Sequence, residues 1–440
     1  MQVFIFDEFR PETSAMLQAL YSRSAESVLK HVDKVREKGP DQFMASYYVG
    51  YGHASIGDCG VTTLYIEDVS LLACKAVQDN PLYSGQETST RYIDFSKQRV
   101  CDPIGSTRSE ALQRRWIEFY SEISPTVVEH LKSRFPSPPG GNEKLWTKAI
   151  AARGFDVLRG LLPAGIVSQL AWTTNLRQAH EHLLRLDAHP LLEVRRIAEE
   201  CRKKLIAQYP SSFGHIVTEA EHNYLKRVAA QEAYVAPEAI PVEPGQFQAV
   251  TEIDNTQLEA EVLDLIRNRP RKSQLPKSLG RYGYYWCRFT LDFGSFRDLQ
   301  RHRGGLCRMP LLTSDLGFHP WYLDQLPNSI RGRAEAFLKQ QLIELDEIGK
   351  GSLPRKDRQY YLPIGMNVAC ELVYDLPEMT YVAELRSGQT VHPTLRWLAH
   401  QMAFALKEHH PQLALHVDMS ESEFCIRRGS QDIMERSSAA

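Results

Sequence analysis

Two short stretches carry side chains suited to holding phosphate. One is Gly85-Gln86-Glu87-Thr88-Ser89-Thr90-Arg91-Tyr92, and the other is Gln300-Arg301-His302-Arg303-Gly304-Gly305. Guanidinium forks bind phosphate oxygens bidentately. Arg301 and Arg303 therefore suit a pyrophosphate or a nucleotide phosphate, with His302 placed to hydrogen-bond a heterocycle between them. Arg297 and Arg308 add positive potential nearby, and Gly304-Gly305 would let the backbone approach a ligand closely. In an extended segment Ser89 and Arg91 project to one side. A hydroxyl and a guanidinium on one side make a phosphate clamp. Ser89 need not be a nucleophile, because no His/Asp partner pattern surrounds it. Each stretch also has a plainer reading. The first could be an exposed Thr/Ser-rich turn, and the second a basic helix end complementing the helix dipole.

The elements that must position these residues are helices with a few strands. Helical patterns occupy about 12–22, 25–48, 68–78, 107–133, 145–160 and 175–208, then 255–268, 294–303, 330–348, 377–386 and 392–408. Val61–Ile66 alternates and is β-branched, so it reads as a strand, with Tyr284–Leu291 as its counterpart. Met1–Asp7 reads as a first strand, because it lacks the basic start of a signal peptide. Strands mixed with many helices, without regular βαβ alternation, predict an α+β fold.

At 440 residues the chain suits two domains. The Pro-rich stretch from Ala233 to Gly245 is the expected connector, since its prolines favour an extended chain. The halves on either side repeat landmarks in order. Leu162-Pro163-Ala164-Gly165, Arg185 and His189-Pro190 recur as Leu362-Pro363-Ile364-Gly365, Arg386 and His392-Pro393. A helical pattern follows each His-Pro pair. The expected division is 1–232, a linker over 233–250, and 251–440.

The net charge of −2 gives no general attraction to nucleic acid or a membrane surface. No apolar run approaches the roughly 20 residues that span a bilayer. The eight cysteines form no C-x-x-C pair, which fits a reducing cytoplasm better than a disulfide framework or a zinc ribbon. His180 and His182 lack a carboxylate or His cluster at ligand spacing, so no metal is expected.

Taken together, the two stretches resemble the signature of flavin-dependent thymidylate synthases, the ThyX family. That signature is Arg-His-Arg, seven residues, Ser, one residue, Arg. Counted back from Ser89, the Arg-His-Arg slot holds Asp79-Asn80-Pro81. Counted forward from Arg303, the Ser and Arg slots hold Leu311 and Thr313. Each half keeps what the other has lost, as in a duplicated, fused member whose copies divided the labour. Gly52-His53 resembles the family's Gly-His segment, with Asp58 and Cys59 in place of its Glu and His. Arg159 matches a nucleotide-binding arginine, and so do Arg185 and Arg386. Asn175 and Arg177 match a pair on the flavin-binding helix. Asp375 stands in the asparagine slot of the second half, and the arginine before Pro363 is displaced to Arg358.

The resemblance implies two tandem ThyX-like domains, each with a small mixed or antiparallel sheet and several helices. It implies reductive methylation of dUMP to dTMP, using FAD with methylene-tetrahydrofolate and NADPH as co-substrates. His53 and Ser89 would take catalytic places. Arg301, His302, Arg303, Asn175 and Arg177 would hold the cofactor. Glu87, Ser89, Arg91, Arg159, Arg185 and Arg386 would hold the nucleotide. Family enzymes are tetramers whose sites draw on several subunits, so a fused pair implies a homodimer acting as a pseudo-tetramer. Two alternatives stay open: a non-catalytic paralogue that binds nucleotide or flavin, and a flavoenzyme acting on another pyrimidine.

Overall fold

A computed structural model describes residues 9–22, 24, 28–50, 54–91, 93–349 and 353–430. The expected strand at Met1–Asp7, and His53, lie outside the described residues. The fold is α+β with two antiparallel sheets. Seven strands are described: β1 (Val61–Ser70), β2 (Ser84–Glu87), β3 (Val167–Asn175), β4 (Phe247–Thr251), β5 (Tyr284–Asp292), β6 (Leu306–Cys307) and β7 (Asn367–Asp375). The chain forms two compact units. The first takes its residues from 1–69, 73–87 and 168–233, and the second from 70–72, 88–167 and 234–440.

The first unit holds a three-stranded sheet in the order β1-β3-β2, with β2 antiparallel to β3. After β3 the chain enters the helix Leu176–Asp187, capped by Asn175, whose side chain accepts from the Gln178 N–H at 2.8 Å. Leu176, Ala179, Leu183 and Leu186 recur at helical spacing and are all buried. The helical pattern expected over 175–208 breaks into two helices, Leu176–Asp187 and Leu192–Gln208. Pro190 explains the break, because it has no N–H to continue the ladder. The pattern expected over 68–78 begins later, at Leu71, because β1 runs on to Ser70. The pattern over 25–48 is interrupted after Lys38, where Gly39 turns the chain with a φ of 65° before Pro40, and helical backbone resumes over Asp41–Phe43 and Met44–Gly50.

The second unit holds a four-stranded sheet in the order β4-β5-β7-β6, antiparallel throughout. On β5, Tyr285, Cys287, Phe289 and Leu291 are fully buried, and the residues between them start out exposed. β7 is buried on both faces for most of its length, so its apolar run does not alternate. Helices Thr107–Arg134, Glu143–Leu158, Asn328–Ile348, Leu376–Arg386 and Pro393–His409 belong to the same unit. The longest begins at a capping box in which Ser106 accepts from the Ser109 N–H. Pro393 occupies the first turn of its helix, where a missing N–H costs nothing.

The Leu-Pro-x-Gly turns of the two halves meet inside this unit and exchange backbone bonds reciprocally. Ala164 N–H donates to Leu362 C=O at 2.9 Å, and Ile364 N–H donates to Leu162 C=O at 2.8 Å. Gly165 N–H donates to Tyr360 C=O at 2.8 Å, and Gly365 N–H to Gly160 C=O at 2.9 Å. Farther out, Leu72 N–H bonds Ala164 C=O just as Gly294 N–H bonds Ile364 C=O. The Pro-rich stretch is packed rather than extended into solvent. Val235 N–H donates to Met309 C=O at 2.8 Å, and Val235, Ile240 and Val242 are buried against Ala369.

Candidate anion-binding site

The second unit brings the two phosphate-type stretches together. Asp292, the last residue of β5, caps the helix Phe293–Leu299 by accepting from the Ser295 N–H at 2.8 Å. This helix carries Arg297 and Asp298 and ends before Arg301, so Arg301–Arg303 lie in the following turn and not within the expected helix over 294–303. Arg297 Nη1 donates to Thr90 Oγ1 at 3.0 Å, which ties the Ser89–Arg91 stretch to this helix.

Asp298 lies at the centre of a group of arginines. Arg159 Nη1 stands 3.4 Å from Asp298 Oδ2, and Arg301 Nε stands 3.7 Å from Oδ1. Arg386 Nη2 donates to the Asp298 carbonyl at 3.0 Å. Burial opposes the charge on Asp298, but Arg159, Arg91, Arg301 and Arg386 together hold its carboxyl well below the usual carboxylate range. Burial likewise opposes the charge on Arg159, and the Tyr322 oxygen, Asp298 and Asp292 outweigh it. Arg159 is only 1% exposed and also donates to Ser295 Oγ at 2.9 Å.

Arg386 Nε donates to His302 Nε2 at 2.7 Å. A guanidinium N–H can only donate, so Nε2 accepts and the His302 proton sits on Nδ1. Burial first, and then Arg386, push the His302 pKa down to about 3. His302 is therefore a neutral ring with a directed donor at neutral pH. The Tyr381 ring meets it edge-on with centroids 5.9 Å apart.

A second carboxylate, Asp156, holds Arg91. Arg91 Nε donates to Asp156 Oδ1 at 2.7 Å and Arg91 Nη2 to Oδ2 at 3.1 Å. The same Nη2 reaches the Thr390 carbonyl at 3.1 Å. Next to it, His392 lies 2.8 Å from Thr394 Oγ1 through Nδ1 and 3.3 Å from the Asp156 carbonyl through Nε2. Thr394 in turn donates to Asp292 at 2.5 Å, and Tyr322 donates to the same carboxylate at 2.7 Å. Burial pushes the His392 pKa well below the usual value, with Arg159, Arg91 and Arg153 adding to the effect. This network fixes the floor of the site, and arginines outnumber the acids beside it. Such a surface suits an anion with a flat heterocycle.

The remaining expected site residues have the following surroundings. Glu87, in the first unit, is paired with buried Lys75 at 3.1 Å and Gln78 at 2.9 Å. Asn175 is a helix cap, and Asp375 does the same work for Leu376–Arg386 by accepting from the Glu378 N–H at 2.7 Å. Arg177 pairs with Asp58 at 2.7 Å and Glu181 at 3.1 Å. Arg185 lines a small cleft of the first unit with Asn80, Gln178 and His182. His182 is a core residue, with Nε2 2.8 Å from the Val77 carbonyl and a pKa lowered to about 4 by burial. Ser89 Oγ accepts from the Arg91 N–H at 3.3 Å and shapes the turn.

Gly305 is required by the backbone packed against it, while a side chain at Gly304 would displace the Glu378 carboxylate. A Cβ on Gly304 would meet the Glu378 carboxylate at 2.0 Å, and one on Gly305 would meet the Val373 carbonyl at 2.4 Å. Asp156 and Asp298 complete the site without being singled out in the sequence, and His392 stands out there only as a landmark of the repeat. For Asp298 a signal existed, an acid inside the basic run from Arg297 to Arg303. Among the described residues no group of His, Cys, Asp and Glu could hold a metal ion, and no helix is long and apolar enough to cross a membrane.

Several known proteins are similar to this chain. A UPF0159 protein of Chlamydia muridarum is 25% identical over 434 residues, covering 85% of this chain and 80% of that protein. A UPF0159 protein of Thermoplasma acidophilum is 23% identical over 470 residues, covering 90% and 93%. A flavin-dependent thymidylate synthase of Mycobacterium marinum is 25% identical over 171 residues, covering 38% of this chain and 66% of that enzyme. Residues 8–211 match the family model described as thymidylate synthase complementing protein. The first half of the chain is thus similar to that family.

Proposed function

We propose that this chain is a flavin-dependent thymidylate synthase-like enzyme that methylates dUMP reductively to dTMP with FAD, methylene-tetrahydrofolate and NADPH. The observation that carries this reading is the convergence of Arg91, Arg159, Arg301, His302 and Arg386 around Asp298. The donor set fits an anionic flavin. Arg301 keeps a guanidinium 43% exposed while Asp298 anchors it, and His302 offers an Nδ1–H donor. Bound there, a flavin would supply the hydride that the transferred carbon needs. In this reading Arg301, His302 and Arg303 hold the cofactor, and Ser89 and Arg91 hold the nucleotide phosphate. Arg159 is buried and acts by fixing Asp298. The protein's contribution is a preorganised field, since its dipoles and charges are set before ligands arrive.

Rescue of a thymidine auxotroph, together with flavin absorbance of the purified chain, tests this. Growth with a bound flavin is the expected result. A second reading, a nucleotide- or flavin-binding relative without this activity, is favoured by the relatives matched along most of the chain, which carry the name UPF0159. Bound flavin without rescue would select it, or the related case of another pyrimidine substrate.

Arg91→Ala is expected to weaken dUMP binding by about one to two decades while flavin stays bound. Calorimetry checks this, and unchanged affinity would remove Arg91 from the site. The reciprocal bonding of the two Leu-Pro-x-Gly turns supports a tandem duplication, with domains at 1–232 and 251–440 joined by 233–250. We therefore propose a homodimer standing in for a family tetramer, a cyclic dimer being the commonest assembly. About one flavin per chain is expected, because only one Arg-His-Arg is present. Flavin content measured beside mass in solution decides it. Two flavins per chain, or an active monomer, would refute the divided-labour arrangement.

A further inference from the structure

Asp156 is fully buried and is gripped by two guanidiniums at once. Arg91 binds both of its oxygens, at 2.7 and 3.1 Å. Arg428 does so as well, with Nη2 2.7 Å from Oδ1 and Nη1 on Oδ2. Arg428 belongs to the short turn Ile426–Ser430, which packs on the helix Glu143–Leu158 that carries Asp156. It is itself buried. A carboxylate paired with one guanidinium is neutral, and a neutral pair has little attraction for an anion. Paired with two, the group keeps one net positive charge. Asp156 by itself would therefore cancel the charge that Arg91 presents. Arg428 restores that charge, while Asp156 and the Thr390 carbonyl still fix the Arg91 fork in place.

We propose that Arg428 is a positioning residue for Arg91, so that the C-terminal turn sets the site's preference for a phosphorylated over an unphosphorylated nucleoside. This rests on the assignment of Arg91 to the nucleotide phosphate made above. The test titrates the purified full chain with dUMP and with deoxyuridine by calorimetry, in the wild type, Arg428→Gln and Arg428→Lys, with thermal midpoints alongside. Arg428→Gln is expected to weaken dUMP about tenfold and leave deoxyuridine unchanged, because only the phosphate senses the lost charge. Arg428→Lys keeps the charge and is expected to hold the dUMP-to-deoxyuridine ratio within about threefold of wild type. A ratio unchanged in Arg428→Gln, or equal losses for both ligands, overturns the proposal. If the glutamine variant fails to fold, the lysine variant decides, since a preference lost there by about tenfold also overturns it. A wild type that binds both ligands equally instead overturns the assignment of Arg91, and this inference with it.

Discussion

Replacing Arg301 and Arg303 together by alanine is expected to strip flavin from the protein while the fold survives. Arg301 is 43% exposed and Arg303 is half-buried beyond the end of its helix, so neither supports the core. Each charge-assisted contact to a phosphate oxygen contributes roughly 1.5–3 kcal/mol. Losing both weakens the cofactor by about 3–6 kcal/mol, or about two to four decades in affinity. Asp298 would still be held by Arg159 and Arg386, which accounts for the expected survival of the site's floor. Absorbance of the purified double variant near the flavin bands, beside its thermal midpoint, gives the answer. A folded variant with full flavin content would remove this turn from the cofactor site and return the basic run to the plainer role of a helix end.

What could be read from the sequence, and what could not, follows from physical causes. β5 was legible because Tyr285, Cys287, Phe289 and Leu291 face one core and their neighbours do not. β7 was not legible, because burial on both faces erases the alternation. Helix Thr107–Arg134 was legible from its spacing, whereas the leucine periodicity on either side of Pro190 masks the break there. In the candidate site, the types of Arg91 and Arg301–Arg303 suggest phosphate chemistry in the sequence, since side-chain type carries that information. Their acids were not. Asp156 looks like an ordinary solvated charge until folding brings Arg91 and Arg428 to it, and Asp298 until folding brings Arg159 and Arg386. Arg428 gave no local signal, because its partner lies 272 positions away. Glu87 shows the converse. It sits in a ligand-like motif, yet its partner Lys75 is buried in an otherwise apolar helix, and only the fold reveals that pair.

Acid is expected to unfold the second unit through His302 as much as through its carboxylates. The unfolded-state His pKa is about 6.5, and in the folded chain it falls to about 3 through burial and then Arg386. Between those values the unfolded chain binds a proton that the folded chain refuses. Stability therefore rises with pH across that window, is fully present above it, and is lost as pH falls toward the folded value. The geometry agrees with the sign, since a proton on His302 Nε2 would meet the N–H that Arg386 directs at it from 2.7 Å. Over the window the contribution is of the order of 5 kcal/mol. Asp298 adds to the loss in the same direction, but only below its unfolded value of about 3.9. The two are thus separable by pH. Urea midpoints measured from pH 7 down to pH 4 are expected to fall steeply in the wild type. They are expected to fall less steeply in His302→Gln, which offers Arg386 an acceptor and cannot take a proton. Parallel curves for the two proteins would show that His302 is not the group resisting the charge, and that the Arg386–His302 bond does not set the acid limit of this site.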